Sequence, residues 1–418
     1  MERRFAGPVA SVMKRTGKSE RSAPAIVRDR SLPAFRESLR LRLPPGPPPP
    51  ALVAIPARDE AEAIPVCLAA LAAQAMPEGT PMPPGRFGVV LLVNNSRDGT
   101  VALARDMAGR LPFPLLVLEE GLPPELAHAG EARRRAMEAA ALWLERDAVP
   151  GAVLLTTDAD GRPARDWVAR NLLALEAGAD AVLGLITVDP EEHERALPAA
   201  LRQRSAEEER YDALLVELAA RLDPDPADPW PRHDCESGAS MAVTLAAYRR
   251  AGGLPSQALG EDRAFCDALR RIDARLRHAP EAVVEVSCRL HGRAQGGMAD
   301  TMRFLIDATD APIEGRLEPA LDAARRYRLR ALARRLFRAP PDAVAAEAAG
   351  FGLEGPALAA LLAQPGFGRA WEAVAAVSPV LRQRTPLERH DLVPETQRVE
   401  ALLAPLRAAM AEATNPGP

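Results

Sequence analysis

Between Ala51 and Leu185 the sequence alternates short, continuous apolar runs with longer amphipathic stretches, and this alternation restricts the chain to one class of fold. The runs are Leu52-Val-Ala-Ile55, Gly88-Val-Val-Leu-Leu-Val93, Leu115-Leu-Val-Leu118, Ala152-Val-Leu-Leu-Thr156 and Ala181-Val-Leu-Gly-Leu185. Each lacks polar alternation and is short, so each reads as a strand covered on both faces. Helical spacing fills the intervals: residues 61–75 through Ile64, Leu68 and Leu71, then Thr100 to Arg110, Gly130 to Arg146, and 164–177. Strands alternating with helices predict an α/β fold, a Rossmann-like, mostly parallel sheet flanked by helices. Ligands on such sheets bind at the carboxyl ends of the strands. Polar clusters follow residues 55, 93 and 157, so these are expected to converge on one site.

Two acidic motifs occupy positions suited to chemistry. Asp158-Ala-Asp160 directly follows an apolar strand. Two carboxylates one residue apart at a strand end make a hard oxygen site for Mg²⁺ or Mn²⁺, whose remaining ligands usually come from substrate phosphates. Gly260-Glu-Asp-Arg263 opens a helix that runs through Phe265, Leu269 and Ile272. A carboxylate at a helix N-terminus is held ionised and can serve as a base. Either motif alone also fits an ordinary surface loop or helix start.

The remaining features bound the setting. Residues 1–50 are basic and aperiodic and end in Leu43-Pro-Pro-Gly-Pro-Pro-Pro-Pro50, which reads as a tail or linker outside the fold. Residues 301–418 are Ala- and Arg-rich and read as a helical C-terminal region that binds acceptor or makes a homodimer. The formal net charge of -4 gives no electrostatic case for nucleic acid. No apolar stretch reaches the roughly 18 residues of a transmembrane helix. Cys67, Cys235, Cys266 and Cys288 show no C-x-x-C spacing, so reduced, structural thiols in the cytoplasm are expected. The basic N-terminal segment would suit a peripheral position at the inner membrane face.

Taken together, the motifs resemble those of family 2 glycosyltransferases with the GT-A fold. Val53-Ala-Ile-Pro-Ala-Arg-Asp-Glu60 is similar to their opening strand and loop, and Asn95-Ser-Arg-Asp-Gly-Thr100 to their second nucleotide-binding loop. Gly130-Glu-Ala-Arg133 resembles the basic segment before the D-x-D, Asp158-Ala-Asp160 the D-x-D itself, and Glu261-Asp262 the pair holding the base. Ser287-Cys-Arg-Leu-His-Gly-Arg293 resembles the S-x-R-x-x-G-R loop that follows, so the resemblance spans roughly residues 51–300. It implies transfer of a sugar from a UDP- or GDP-sugar to a small-molecule or lipid-linked acceptor. Pro56, Ala57, Arg58, Glu60, Asn95 and Asp98 would form the nucleoside pocket, with Arg133 near the base or diphosphate. Asp158 would contact the ribose side and, with Asp160, the metal. Asp262 would be the general base of an inverting displacement, with Glu261 positioning hydroxyls.

Four further expectations concern residues between Trp230 and Arg293. Arg289 and Arg293 would hold the diphosphate by fork-like hydrogen bonds. His291 between them is a candidate third metal ligand. His233, Gly238 and Ala239, ahead of a strand at Met241-Ala-Val, are expected to face the acceptor. The Pro- and Asp-rich loop around Trp230 reads as a lid or a solvated linker. A retaining glycosyltransferase of the same fold, acting on a glycerate-type acceptor, would keep the D-x-D and a late His but not need Asp262. A nucleotidyltransferase would need a Gly-rich loop after the first strand, which Pro56-Ala-Arg-Asp-Glu60 is not. A catalytically silent scaffold would have no reason to keep Asp158, Asp160 and Asp262 together.

Overall fold

The computed structural model describes residues 31–293, 296–308 and 310–414. The apolar runs form the expected strands: β1 (Ala51–Ala57), β2 (Phe87–Asn94), β3 (Leu115–Glu120), β4 (Val153–Thr156) and β6 (Ala181–Val188). With β5 (Arg162–Pro163), β7 (Met241–Thr244) and β8 (Leu276–Val286) they make one sheet of order β3-β2-β1-β4-β7-β6-β8-β5. β1, β2, β3 and β4 run parallel, as do β6 and β8, while β7 lies antiparallel between β4 and β6. Ala57 pairs with Val93 and Ala54 with Thr156, so the chain leaves β1, β2 and β4 along one rim.

The two-residue period of the strands divides the core. Ala51, Val53 and Ile55 point to one face, where they meet α2 (Ile64–Ala72), α3 (Thr100–Ala108), α5 (Trp167–Glu176) and α10 (Met298–Asp307). Leu52 and Ala54 point to the other, against α4 (Ala129–Arg146), α8 (Leu245–Arg250) and α9 (Glu261–Arg271). The α/β, mostly parallel sheet expected from the sequence is therefore observed.

Two domain boundaries are corrected. Residues 1–30 lie outside the described residues, but α1 (Ser31–Arg40) does not belong to a tail. Leu32, Phe35, Leu39 and Leu43 are buried in the second core, and Arg36 bonds Glu138 on α4 at 2.8 Å. An i, i+3, i+4 apolar stripe hidden among arginines supplies the burial that the proline run concealed.

The C-terminal boundary also shifts. α6 (Pro190–Ala196) leads into α7 (Ala199–Leu222), whose Tyr211, Leu215 and Leu218 pack with Ala320, Ala323, Val399 and Leu403. Those partners lie on α11 (Ala320–Leu336) and α16 (Leu392–Thr414). α12 (Pro341–Glu347), α13 (Gly355–Leu362), α14 (Phe367–Val377) and α15 (Pro379–Arg382) close a further core with the end of α11. The helical unit thus takes α7 from the middle of the chain, while α10 packs on the sheet.

Candidate active site

The rim of β1, β2 and β4 opens into a cleft of about 250 Å³. Pro56, Ala57, Arg58 and Glu60 line it from β1, Asn94 from β2, and Asp158 and Asp160 from β4. Arg133 on α4, Glu261 and Asp262 on α9, and Arg289 and Arg293 after β8 complete the polar wall. The convergence expected of the three polar clusters is met, although their members take different parts.

The loops after β1 and β2 lock each other. Asp59 (φ 53) and Asn95 (φ 51) both sit in the left-handed region, which short polar side chains tolerate. The Asp59 amide donates to Ser96 Oγ at 2.8 Å, and Asp59 Oδ1 accepts from the Arg97 amide at 2.7 Å. Asp98 accepts from the Ala61 and Thr100 amides, both at 3.0 Å, and from the Thr100 hydroxyl. These bonds hold its carboxyl below the usual range against the opposing effect of burial. Asn95 bonds both the amide and the carbonyl of Leu122. Asn95 and Asp98 do not line the cleft, so the expectation that they contact nucleotide is corrected: they brace the loop that presents Asn94.

Arg133 is likewise a brace. Its Nε donates to Glu261 at 3.1 Å, Nη1 to Thr156 Oγ1 at 3.1 Å and to the Gly238 carbonyl at 2.8 Å, and Nη2 to Asp158 at 2.7 Å. The guanidinium is buried with these donors committed, so instead of reaching the base or diphosphate it ties β4 to α9. A Cβ on Gly238 would stand 2.5 Å from Arg133 Cζ. Close approach of this side chain therefore requires the glycine, correcting the expectation of an acceptor contact there. Ala239 is buried beside it and Ser237 lines the cleft instead.

Glu261 is buried, and burial with the neighbouring Asp262 raises its pKa in spite of Arg133. Asp262 is half-buried; Oδ2 accepts from the Gly238 amide at 3.1 Å and Oδ1 from the Arg263 amide at 2.8 Å. Arg289 grips Glu60 with both Nη atoms, at 2.8 and 2.5 Å, and its Nη2 lies 3.1 Å from Asp160 Oδ2. Burial pushes the Asp160 carboxyl up to about 6, with Asp158 and Glu60 adding to the effect and Arg289 opposing it. Arg293 donates from Nε to the Asp59 carbonyl at 3.0 Å and is otherwise exposed.

Two expected residues stand elsewhere. His291 is exposed and does not line the cleft, and no group of three His, Cys, Asp or Glu suited to a metal occurs among the described residues. The expectation of a third metal ligand there is not met: Arg289 and Arg293 line the cleft and His291 between them does not. His233 packs edge-to-face on His278 with ring centroids 5.6 Å apart, and its Nδ1 accepts from the Cys235 amide. It belongs to a buried network: His278 bonds Asp228 at 2.8 Å, and Arg270 pairs with Glu236. The Trp230 loop feeds that network and forms no lid over the cleft. All four cysteines are buried, as expected of structural thiols.

The sequence reading missed His128, which caps α4 by accepting from the Glu131 amide at 3.1 Å and lines the cleft. Its N-cap position was the available signal. Burial lowers its pKa, with Glu131 opposing.

A family model described as glycosyl transferase family 2 matches residues 52–219. A search of curated proteins finds no match. Among solved structures, the mannosyltransferase PcManGT from Pyrobaculum calidifontis, in complex with GDP-Man and Mn²⁺, is 16% identical with a TM-score of 0.41, covering 92% of this chain and 86% of that one. TarS 1–349 from S. aureus in complex with UDP-GlcNAc is 15% identical with a TM-score of 0.41, covering 79% of this chain and 90% of that one.

Proposed function

We propose that this chain, whose residues 52–219 match the glycosyl transferase family 2 model, is a transferase that moves a sugar from a UDP- or GDP-sugar to an acceptor hydroxyl or amine with inversion. The observation that carries the reading is the meeting, in one cleft, of the Asp158/Asp160 pair with Glu261 and Asp262. Pro56, Ala57, Arg58 and Asn94 make the nucleoside end of the cleft, and Arg289 and Arg293 suit the diphosphate.

A divalent cation fits the carboxylates present. Asp160 is buried beside Asp158 and Glu60, with Arg289 as the opposing cation; burial first and the two carboxylates second raise its pKa. Asp158 and Asp160 would hold Mg²⁺ or Mn²⁺, phosphate oxygens completing the shell. Bound there, the ion would offset charge on the departing nucleoside diphosphate.

The chain's own residues do the rest. The Gly238 and Arg263 amides fix the Asp262 carboxylate at the cleft wall. As the acceptor oxygen or nitrogen bonds to the anomeric carbon, the carbon–oxygen bond to the diphosphate breaks and Asp262 takes the acceptor proton. Glu261, set by Arg133, orients hydroxyls beside it. His291, outside the cleft, lends no support to a retaining enzyme. The acceptor is a small molecule or lipid-linked; no helix of the described residues is long and apolar enough to cross a membrane.

The test is Asp262→Asn, nearly isosteric and unable to act as base. Turnover should fall about 10²–10⁴-fold while donor affinity stays close to that of the parent. NMR of the product should show the anomeric configuration opposite to the donor's. Near-parent turnover or a retained configuration would refute the assignment.

A further inference from the structure

The C-terminal helical unit touches the catalytic domain at an unusual place, the C-terminal end of α9, the helix whose first two residues are Glu261 and Asp262. Asp273, in the turn after α9, has φ 53 and directs its carboxylate onto the first turn of α14. Oδ2 accepts from the Phe367 amide at 3.0 Å and Oδ1 from the Gly368 amide at 2.7 Å. One element thus supplies the cap of another more than 90 residues away.

The approach is too close for any side chain. A Cβ on Gly368 would lie 1.8 Å from the Arg270 carbonyl oxygen and 2.6 Å from its carbon, both backbone atoms. A Cβ on Gly366 would lie 2.2 Å from Asp273 Oδ2. Arg271 adds a two-pronged pair with Glu372 at 2.8 and 2.7 Å, exposed and therefore worth little. Phe367 is held from the other side by Phe337, at a centroid distance of 5.9 Å, and by Arg334 at 4.6 Å above its ring.

The same end of α9 is linked to the cleft by a second route. The side chain of Arg270 pairs with Glu236, two residues before the Gly238 whose amide holds Asp262. The helix is therefore fixed at its far end by the helical unit, and at both ends by the 236–238 segment. An α-helix of 11 residues is a rigid rod of roughly 16 Å, so a shift at Arg270 is delivered to Asp262.

We infer that the Asp273–Gly366–Gly368 contact makes the C-terminal helical unit a buttress that sets the position of α9, and hence of Asp262, relative to the donor side of the cleft. Asp273, Gly366 and Gly368 are positioning residues. The donor side is built on β1 and β4 and meets α9 through Arg133. The consequence for turnover rests on the role proposed above for Asp262.

Gly368→Ala forces the two backbones apart, and Asp273→Ala removes two hydrogen bonds without a clash. In both, turnover should fall between tenfold and roughly 10²-fold, the scale expected for a displacement of about 1 Å. Affinity for UDP or GDP should stay within about twofold of the parent. Hydrogen exchange of the amides of residues 261–265 should speed up, while that of β1 stays unchanged. Asp273→Asn, which keeps one acceptor, should recover part of the turnover, and Glu372→Ala should behave like the parent.

Unchanged exchange in α9 together with parent turnover would overturn the inference, as would parallel loss of turnover and nucleotide affinity. If Gly368→Ala fails to fold, Asp273→Ala decides alone. Parent-like turnover in Asp262→Asn would remove the base assignment and leave the exchange test of the buttress standing.

Discussion

The carboxyl of Asp160 is costly to ionise. Burial raises its pKa, Arg289 opposes the rise, and Asp158 and Glu60 add to it. A divalent cation held by Asp158 and Asp160 would relieve the repulsion between them and a diphosphate. Calorimetry of the parent should show UDP or GDP binding at least about tenfold more tightly with Mn²⁺ than without, a difference of about 1.4 kcal/mol. Asp160→Asn should abolish the difference, and a parent indifferent to metal would contradict it. Asp158, Asp160, Glu261 and Asp262 were legible in the sequence because each acidic pair follows a recognisable strand or opens a helix. The duties of Asn95, Asp98 and Arg133 were not. A motif states that a residue is near the site; whether its hydrogen bonds are spent on protein or left for ligand depends on partners such as Glu261, 128 positions from Arg133. His128 was passed over for the converse reason, a lone ring with no companion motif.

Among the elements, α1 differs most from its sequence reading. The proline run that follows, and the charged Arg36, Glu37 and Arg40, concealed a stripe of Leu32, Phe35 and Leu39 that the second core absorbs. Phe35 also lies under Arg135, whose guanidinium carbon is 5.1 Å from the ring centroid. Phe35→Ala should therefore cost about 3 kcal/mol or more in denaturant unfolding, in line with buried aromatic truncations. A change within about 0.5 kcal/mol would return the segment to the status of a tail. The first four strands, by contrast, could be read to within about two residues at each end, the run for β6 stops three residues short, and β5 and β8 had no run assigned. Val89, Leu91 and Val93 face one core and Val90 and Leu92 the other, and an unbroken apolar run is the only pattern that satisfies both. The antiparallel β7 had no comparable signal, since four residues, Met241–Thr244, are too few to show a direction.

For the molecule as a whole, the buried network behind the cleft should shape stability against pH. Burial opposes protonation of His278, but its hydrogen bond to Asp228 and the nearby Glu236 carboxylate outweigh this and raise its pKa. Arg232 and Arg277 pair with Asp228, Arg270 pairs with Glu236, and the ring of His233 stands on the remaining side. A raised folded pKa means that the contribution is fully present below about pH 6.5, the ordinary imidazole value, and is lost as pH rises through the folded value. His278→Gln should lower Tm most below pH 6.5, with the deficit shrinking at higher pH; a deficit that grows with pH would reverse the sign. The helical unit carries a different consequence, one of timing. Tyr211, Leu215 and Leu218 of α7 bury themselves against Ala320 and Ala323 and, much later in the chain, Val399 and Leu403. A ribosome adding about 5–20 residues per second delivers the last of those partners roughly 10–40 s after α7. Through that interval the nascent chain carries an apolar helix face that is incompletely covered, a natural stopping place for a chaperone.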